Sequence, residues 1–393
     1  MGATRTIRRV AAATACLGLL GGCRSPGETP KRRAAAEAPS RFASARSIAT
    51  SEERPNSAPS AVPKPLAVAQ TLISLREHRL DVGPPSVQRD LLSFGAKRLL
   101  QASVDKLTFR ESEQGQVITE ASVGAVRAVA HGPLGSLFAV GASDGALLEP
   151  RAKTVKRFPH VPFLPSSRLL PDLERTDHFF VYYPEDAELY YYPFASESGA
   201  ILPIEASFHL QGCNEPLTQL RDGAVVCRTA TGFVRQAPRG SRSDFEYKDL
   251  GDDDALIRLL PGMRLDEFFA ITRGGDVLHL RLAGGVSLLA RFRLPAQPYA
   301  AAANTEALAF ILVSNPHPDR SRSWSVLVTD FDGHPRFQSE LPGAVPDAEE
   351  DWLATLVEDK NLAISAFEPL VAVGGPRRVT VWDYAHARER FTR

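Results

Sequence analysis

Gly141-Ala142-Ser143-Asp144-Gly145 has the spacing G-x-S-x-G, which in serine hydrolases holds a nucleophilic serine on a sharp turn between a strand and a helix. The segment that follows, ALLEPRAKTVKRF, reads as strand, polar turn and strand, with no helix whose N-terminal amides could steady an oxyanion. Asp144-Gly145 is also a strong hairpin signal, because both residue types tolerate positive φ. Ser143 is therefore expected beside a tight turn between strands, and no catalytic residue is assigned. Asp252-Asp253-Asp254 and Asp330-Phe331-Asp332-Gly333 offer carboxylates for calcium, but neither has the full alternating set of oxygen ligands closed by a glutamate. Both read as solvated turns. The 9 histidines are scattered singly, with no H-E-x-x-H pair. No metal and no cofactor is expected.

The four cysteines point to an address. The N-terminus carries Arg5, Arg8 and Arg9, then an apolar run from Val10 to Leu20 that is too short to span a bilayer and reads as a signal-peptide core. Leu20-Gly21-Gly22-Cys23 follows and resembles the bacterial lipobox. That resemblance implies a signal peptide over residues 1–22, cleavage before Cys23, diacylglycerol on its sulfur and an acyl chain, such as palmitate, on its amine. Several acyl chains on one residue give stable anchoring. Arg24, where an aspartate would retain enterobacterial lipoproteins, implies passage to the outer membrane of a bacterial cell envelope. Cys16 leaves with the signal, and Cys213 and Cys227 remain in an oxidising compartment. A disulfide between them is the expected state, since a metal would find only the lone His209 nearby.

Residues 23–65 are rich in Ala, Pro, Ser and Arg and almost free of large apolar side chains, so they read as a disordered tether. Residues 66–393 form the candidate domain. The full 393-residue sequence has 46 basic and 46 acidic residues, and this balance removes the electrostatic case for nucleic acid.

Beyond the tether, short runs of Val, Leu, Phe and Tyr alternate with Gly, Pro, Asp and Ser, the pattern of an all-β domain. Seven units of strand, tight turn and strand recur: KRLLQASVDKLTF, SLFAVGASDGALL, HFFVYYPEDAELYYY, AVVCRTATGFVR, EFFAITRGGDVLHL, AFILVSNPHPDRSRSWSVLV and PLVAVGGPRRVTVW. Most lead into a third strand and several follow a further apolar run, so four strands per unit and a spacing of about 40–54 residues predict a seven-bladed β-propeller. Two units resemble the WD-repeat family: AVRAVAHGPLGSLFAVGASDGALL, and LVAVGGPRRVTVWDYAHARERF with its Trp382-Asp383 dipeptide. Ring closure is expected from Ala67–Leu80 pairing with the last unit, the alternative being the C-terminal ERFTR.

The aromatic crowd in the third unit, Phe179 to Tyr183 and Tyr190 to Phe194, is expected to pack against neighbouring blades on both faces. The turn Pro184, Glu185 and Asp186 and the loop Asn315–Ser323, with His317 and Arg320, are candidate contacts for a protein partner. The expected function is an anchored interaction or envelope-assembly platform. The alternative is a lactonase-like or glycan-active hydrolase with its site in the central funnel, which would show as acidic residues and histidines converging at the inner strand ends.

Overall fold

The computed structural model describes residues 91–164, 166–195, 201–237, 240–247, 256–314, 323–341, 361–375 and 378–393. The signal peptide, the tether, Cys23, Asp252–Asp254, His317 and Arg320 lie outside the described residues. Among the described residues no helix is long and apolar enough to cross a membrane.

Each apolar hairpin of the sequence becomes the middle of a four-stranded antiparallel sheet. In the first blade the order is β1 (Leu91–Gly95), β2 (Arg98–Ser103), β3 (Lys106–Glu111) and β4 (Val117–Ser122). The same meander repeats in β5–β8 (126–159), β9–β12 (168–209), β13–β16 (214–246), β17–β20 (256–293), β21–β24 (297–340) and β25–β28 (362–392). First strands of neighbouring blades touch, β1 with both β5 and β25 for example, so they ring the centre. The result is a seven-bladed propeller. Turns between first and second strands share one side of the disc, here face A, with the turns between third and fourth strands. Turns between second and third strands lie on the other side, face B.

Where strands two and three of a blade are covered on both sides, they read as continuous apolar runs rather than alternating ones. In β10 (His178–Tyr183), Phe179, Val181 and Tyr183 join Phe138 and Phe158 in the seam with blade two, while Phe180 and Tyr182 join Val225 and Val234 in the seam with blade four. Tyr190 and Tyr192 of β11 (Glu188–Pro193) face the first seam and Tyr191 the second. The aromatic crowd is core on both faces. One such cluster fills each of the other five seams.

Closure differs from the expectation. The outer place in the last blade belongs to β28 (Arg388–Thr392), which pairs with β27 (Arg378–Asp383) through Val381↔Phe391 and Asp383↔Arg388. Ala67–Leu80 lies outside the described residues. The first and last blades are each complete in themselves and meet side by side: Leu92, Phe94 and Leu99 pack on Leu370, Val379, Val381 and Phe391. Ser112 Oγ donates to Glu368 Oε2 across the same seam at 2.5 Å.

Candidate functional site

Ser143 sits on face B in the two-residue turn between β6 (Leu137–Gly141) and β7 (Asp144–Leu148). The turn residues are Ala142 and Ser143, one step before the Asp144-Gly145 pair expected to make it. Asp144 and Gly145 already belong to β7, and neither has positive φ. The two glycines of G-x-S-x-G answer to packing: a Cβ on Gly141 would overlap the Val123 carbonyl, and one on Gly145 would overlap the Phe158 ring. Ser143 is exposed, and its hydroxyl donates to Asp144 Oδ1 at 3.1 Å. Asp144 pairs at 2.7 Å with Arg157. Among the described residues no histidine bonds Ser143.

Cys213 and Cys227 are joined by a disulfide, with Cα atoms 5.5 Å apart, in the buried seam between blades three and four. Pro184, Glu185 and Asp186 form the face-B turn between β10 and β11, with Glu185 exposed. Asp330 caps the turn between β23 (Ser323–Thr329) and β24 (Pro335–Glu340), accepting from the backbone of Asp332 and His334 and facing His334 Nδ1 at 3.1 Å. Gly333 closes that turn at φ +88°, a conformation glycine adopts without strain, directly over the Phe292 ring. Asp383, of Trp382-Asp383, does the same in blade seven. It is fully buried and accepts from His386 N, His386 Nδ1 at 2.9 Å and Arg390 Nη2 at 2.6 Å. Burial alone would raise its pKa, but the hydrogen bonds from His386 and Arg390 outweigh it and hold the carboxyl below the ordinary aspartate value.

The charged residues of the seven innermost strands are Arg127, Arg168, Glu215 and Arg258, with His131 ending β5. Arg168 Nη2 meets Glu215 Oε2 at 2.9 Å. Burial, reinforced by Glu215, pushes the nearby Tyr182 phenol up to about 12. The described channel wall is thus basic, and its one carboxylate is matched by an arginine. Paired carboxylates for acid–base work do not converge there.

Face A is organised differently. Gln219 Nε2 of blade four donates to Pro171 O of blade three at 2.9 Å. Arg221, two residues on, reaches over the channel mouth: Nε donates to Gly262 O of blade five and Nη2 to Asn304 O of blade six, each at 2.7 Å. Asn304 Nδ2 continues to Ser365 O of blade seven at 2.7 Å. Burial lowers the pKa of Arg221, which has no carboxylate partner among the described residues. His131 stands in the same mouth, open to water, and the enclosing walls and the charge of Arg221 push its pKa below the usual histidine value. Around this mouth the turns expose apolar side chains: Leu134 on blade two (76% exposed), Met263 (55%) and Leu265 (58%) on blade five, and Phe367 (49%) on blade seven. Nothing in the sequence marks Arg221, because its partners lie 41 and 83 residues away.

No protein-family model matches the chain, and no curated protein matches it in sequence. Solved structures do. The β-propeller domain of Myceliophteria thermophila Cps50 (Swd1) is similar at 11% identity and a TM-score of 0.51, covering 77% of this chain and 98% of that one. The fold is a WD40-like propeller. Sqt1 of Saccharomyces cerevisiae (12% identity, TM-score 0.46, 77% and 85% covered) and the WD40 domain of SCAP from fission yeast (12%, 0.43, 79% and 88%) are also similar. At such identities the likeness is one of fold. A WD40-like disc presents turns on two faces, and chemistry on either face has to come from this chain's own residues.

Proposed function

We propose that the chain is a lipid-anchored, extracytoplasmic platform that holds a protein partner in a bacterial envelope. Cys23 carries the lipid in this reading and residues 24–65 the tether. The observation that carries the platform is the distribution of exposed apolar surface. Among the described residues nine large apolar side chains are exposed, and four of them stand on the face-A turns round the channel mouth. The one carboxylate of the described channel wall, by contrast, is already paired, Glu215 with Arg168. Exposed apolar residues gathered on a rigid rim suit protein contact better than catalysis. Face B adds the turn Pro184, Glu185 and Asp186, and His317 and Arg320, outside the described residues, are further candidate contacts in this reading.

The test is site-specific photocrosslinking in cells from Glu185 on face B and Thr305 on face A, both exposed. A discrete, saturable protein adduct identified by mass spectrometry is expected from at least one face. Absence of adducts from both faces overturns the platform. For the anchor, Cys23→Ala should leave a species that no longer takes up labelled palmitate or sediments with membranes.

A further inference from the structure

Three features of face A converge on one ligand chemistry. The first is Arg221. Two of its three nitrogens are spent on backbone carbonyls, Nη1 has no hydrogen-bond partner among the described residues, and no carboxylate there neutralises it. A half-buried guanidinium held this way attracts an anion. The neighbouring acids are already engaged: Asp222 with Arg235, Asp266 with Arg281 and Glu368 with Ser112. Glu306, on the blade-six turn, is exposed.

The second is the apolar rim. Phe367 is held out by a turn in which Ser365 Oγ accepts from the amides of Phe367 and Glu368 at 3.1 and 3.2 Å. Met263 and Leu265 ride a turn closed by Gly262 N donating to Glu267 O at 2.8 Å, with buried Glu267 bound by Arg281 beneath. The third is Leu134. It is 76% exposed and sits at φ 58°, a left-handed conformation that costs a leucine roughly 1–2 kcal/mol. A bulky apolar side chain kept outward on a strained backbone has the signature of a binding residue.

Building on the platform reading, we propose that face A docks a partner segment carrying an aspartate or glutamate flanked by leucine-like or aromatic residues. Its carboxylate accepts from Arg221 Nη1 at the channel mouth, and its apolar side chains cover Leu134, Met263, Leu265 and Phe367. β1 begins on face B, opposite this surface.

The experiment sorts a random dodecapeptide display library on the full-length chain, with the double variant Leu265→Ser/Phe367→Ser as counter-selection. Both positions are exposed, so that variant should keep the parent melting temperature. Selected peptides are expected to be enriched in Asp or Glu between Leu, Phe or Trp. Replacing the acid by its amide should weaken binding about tenfold or more, Glu306→Gln should tighten it by removing a like charge, and Arg221→Gln should erase the preference for acid over amide. Enrichment of Lys or Arg, equal binding of acid and amide, or no binder that distinguishes the double variant overturns the inference. If protein adducts still form at Glu185 in that case, the platform stands and only the face-A docking fails.

Discussion

Truncating Phe391 to alanine tests how the ring is closed. The side chain is 6% exposed and packs in the seam between blades seven and one, against Leu92, Phe94 and Leu99. Its ring also lies where a Cβ on Gly115 would be. Nearly the whole ring is removed from solvent, so Phe391→Ala should cost about 3–5 kcal/mol. That is about a fifth or more of a typical domain's stability of about 5–15 kcal/mol. Phe337 is the matched control, since it occupies the same fourth-strand position in blade six, is 7% exposed and packs against Trp382 at 6.2 Å. The two variants should lose similar free energy in urea unfolding. They should differ in hydrogen exchange, with protection falling in blades one and seven for Phe391→Ala and in blades six and seven for Phe337→Ala. A cost below about 1 kcal/mol for Phe391→Ala would refute the reasoning. So would an unchanged midpoint after removal of residues 388–393 combined with collapse after deletion of residues 67–80, because the N-terminal segment would then be closing the ring.

Other outcomes follow from the packing and charges. Gly145→Ala drives a methyl into Phe158 and should cost about 1–3 kcal/mol by thermal melts, whereas exposed Ser143→Ala should stay within about 0.5 kcal/mol; the reverse order would restore a special role for the serine. The folded carboxyls of Asp383 and Glu267 are held below their ordinary values, burial opposing the shift and the partners Arg390 and His386, and Arg281 and His279, winning. Their contribution is complete above the unfolded carboxyl range near pH 4 and lost as pH falls through the lower folded values, so melting temperature should drop below about pH 4, and Asp383→Asn should flatten that drop. Reducing the Cys213–Cys227 bond, which closes a 14-residue separation, should cost about 3 kcal/mol in denaturant. A reduced protein of unchanged midpoint would show the bond to be thermodynamically idle.

Middle hairpins were most legible where strands covered on both sides are apolar throughout, as in Phe179–Tyr183. The flanking strands were less so. Arg168–Pro171 and Leu362–Ile364 line the channel in three or four residues, too few to show a period. Closure was misread for a similar reason: RERFT holds one large apolar residue, Phe391, and looks weaker than the Ala67–Leu80 segment although that one side chain seals the seam. The turn in G-x-S-x-G was displaced because glycine signals two different needs, positive φ and missing bulk, and here the second decided. Arg221 left no trace at all, because its geometry is assembled by turns from three blades.

Each blade is cut from one unbroken stretch of chain, so the linear order and the circle run in phase. With four antiparallel strands per blade, the fourth ends on the side where the first begins, and Thr392 and Leu91 emerge on the same face of adjacent blades. The starting point is therefore arbitrary in structural terms. Linking Arg393 to Leu91 and reopening the chain at residues 123–125, between β4 and β5, would move a whole blade from one end to the other without tearing a sheet. Such a circular permutant keeps all seven seams and should fold to the same disc.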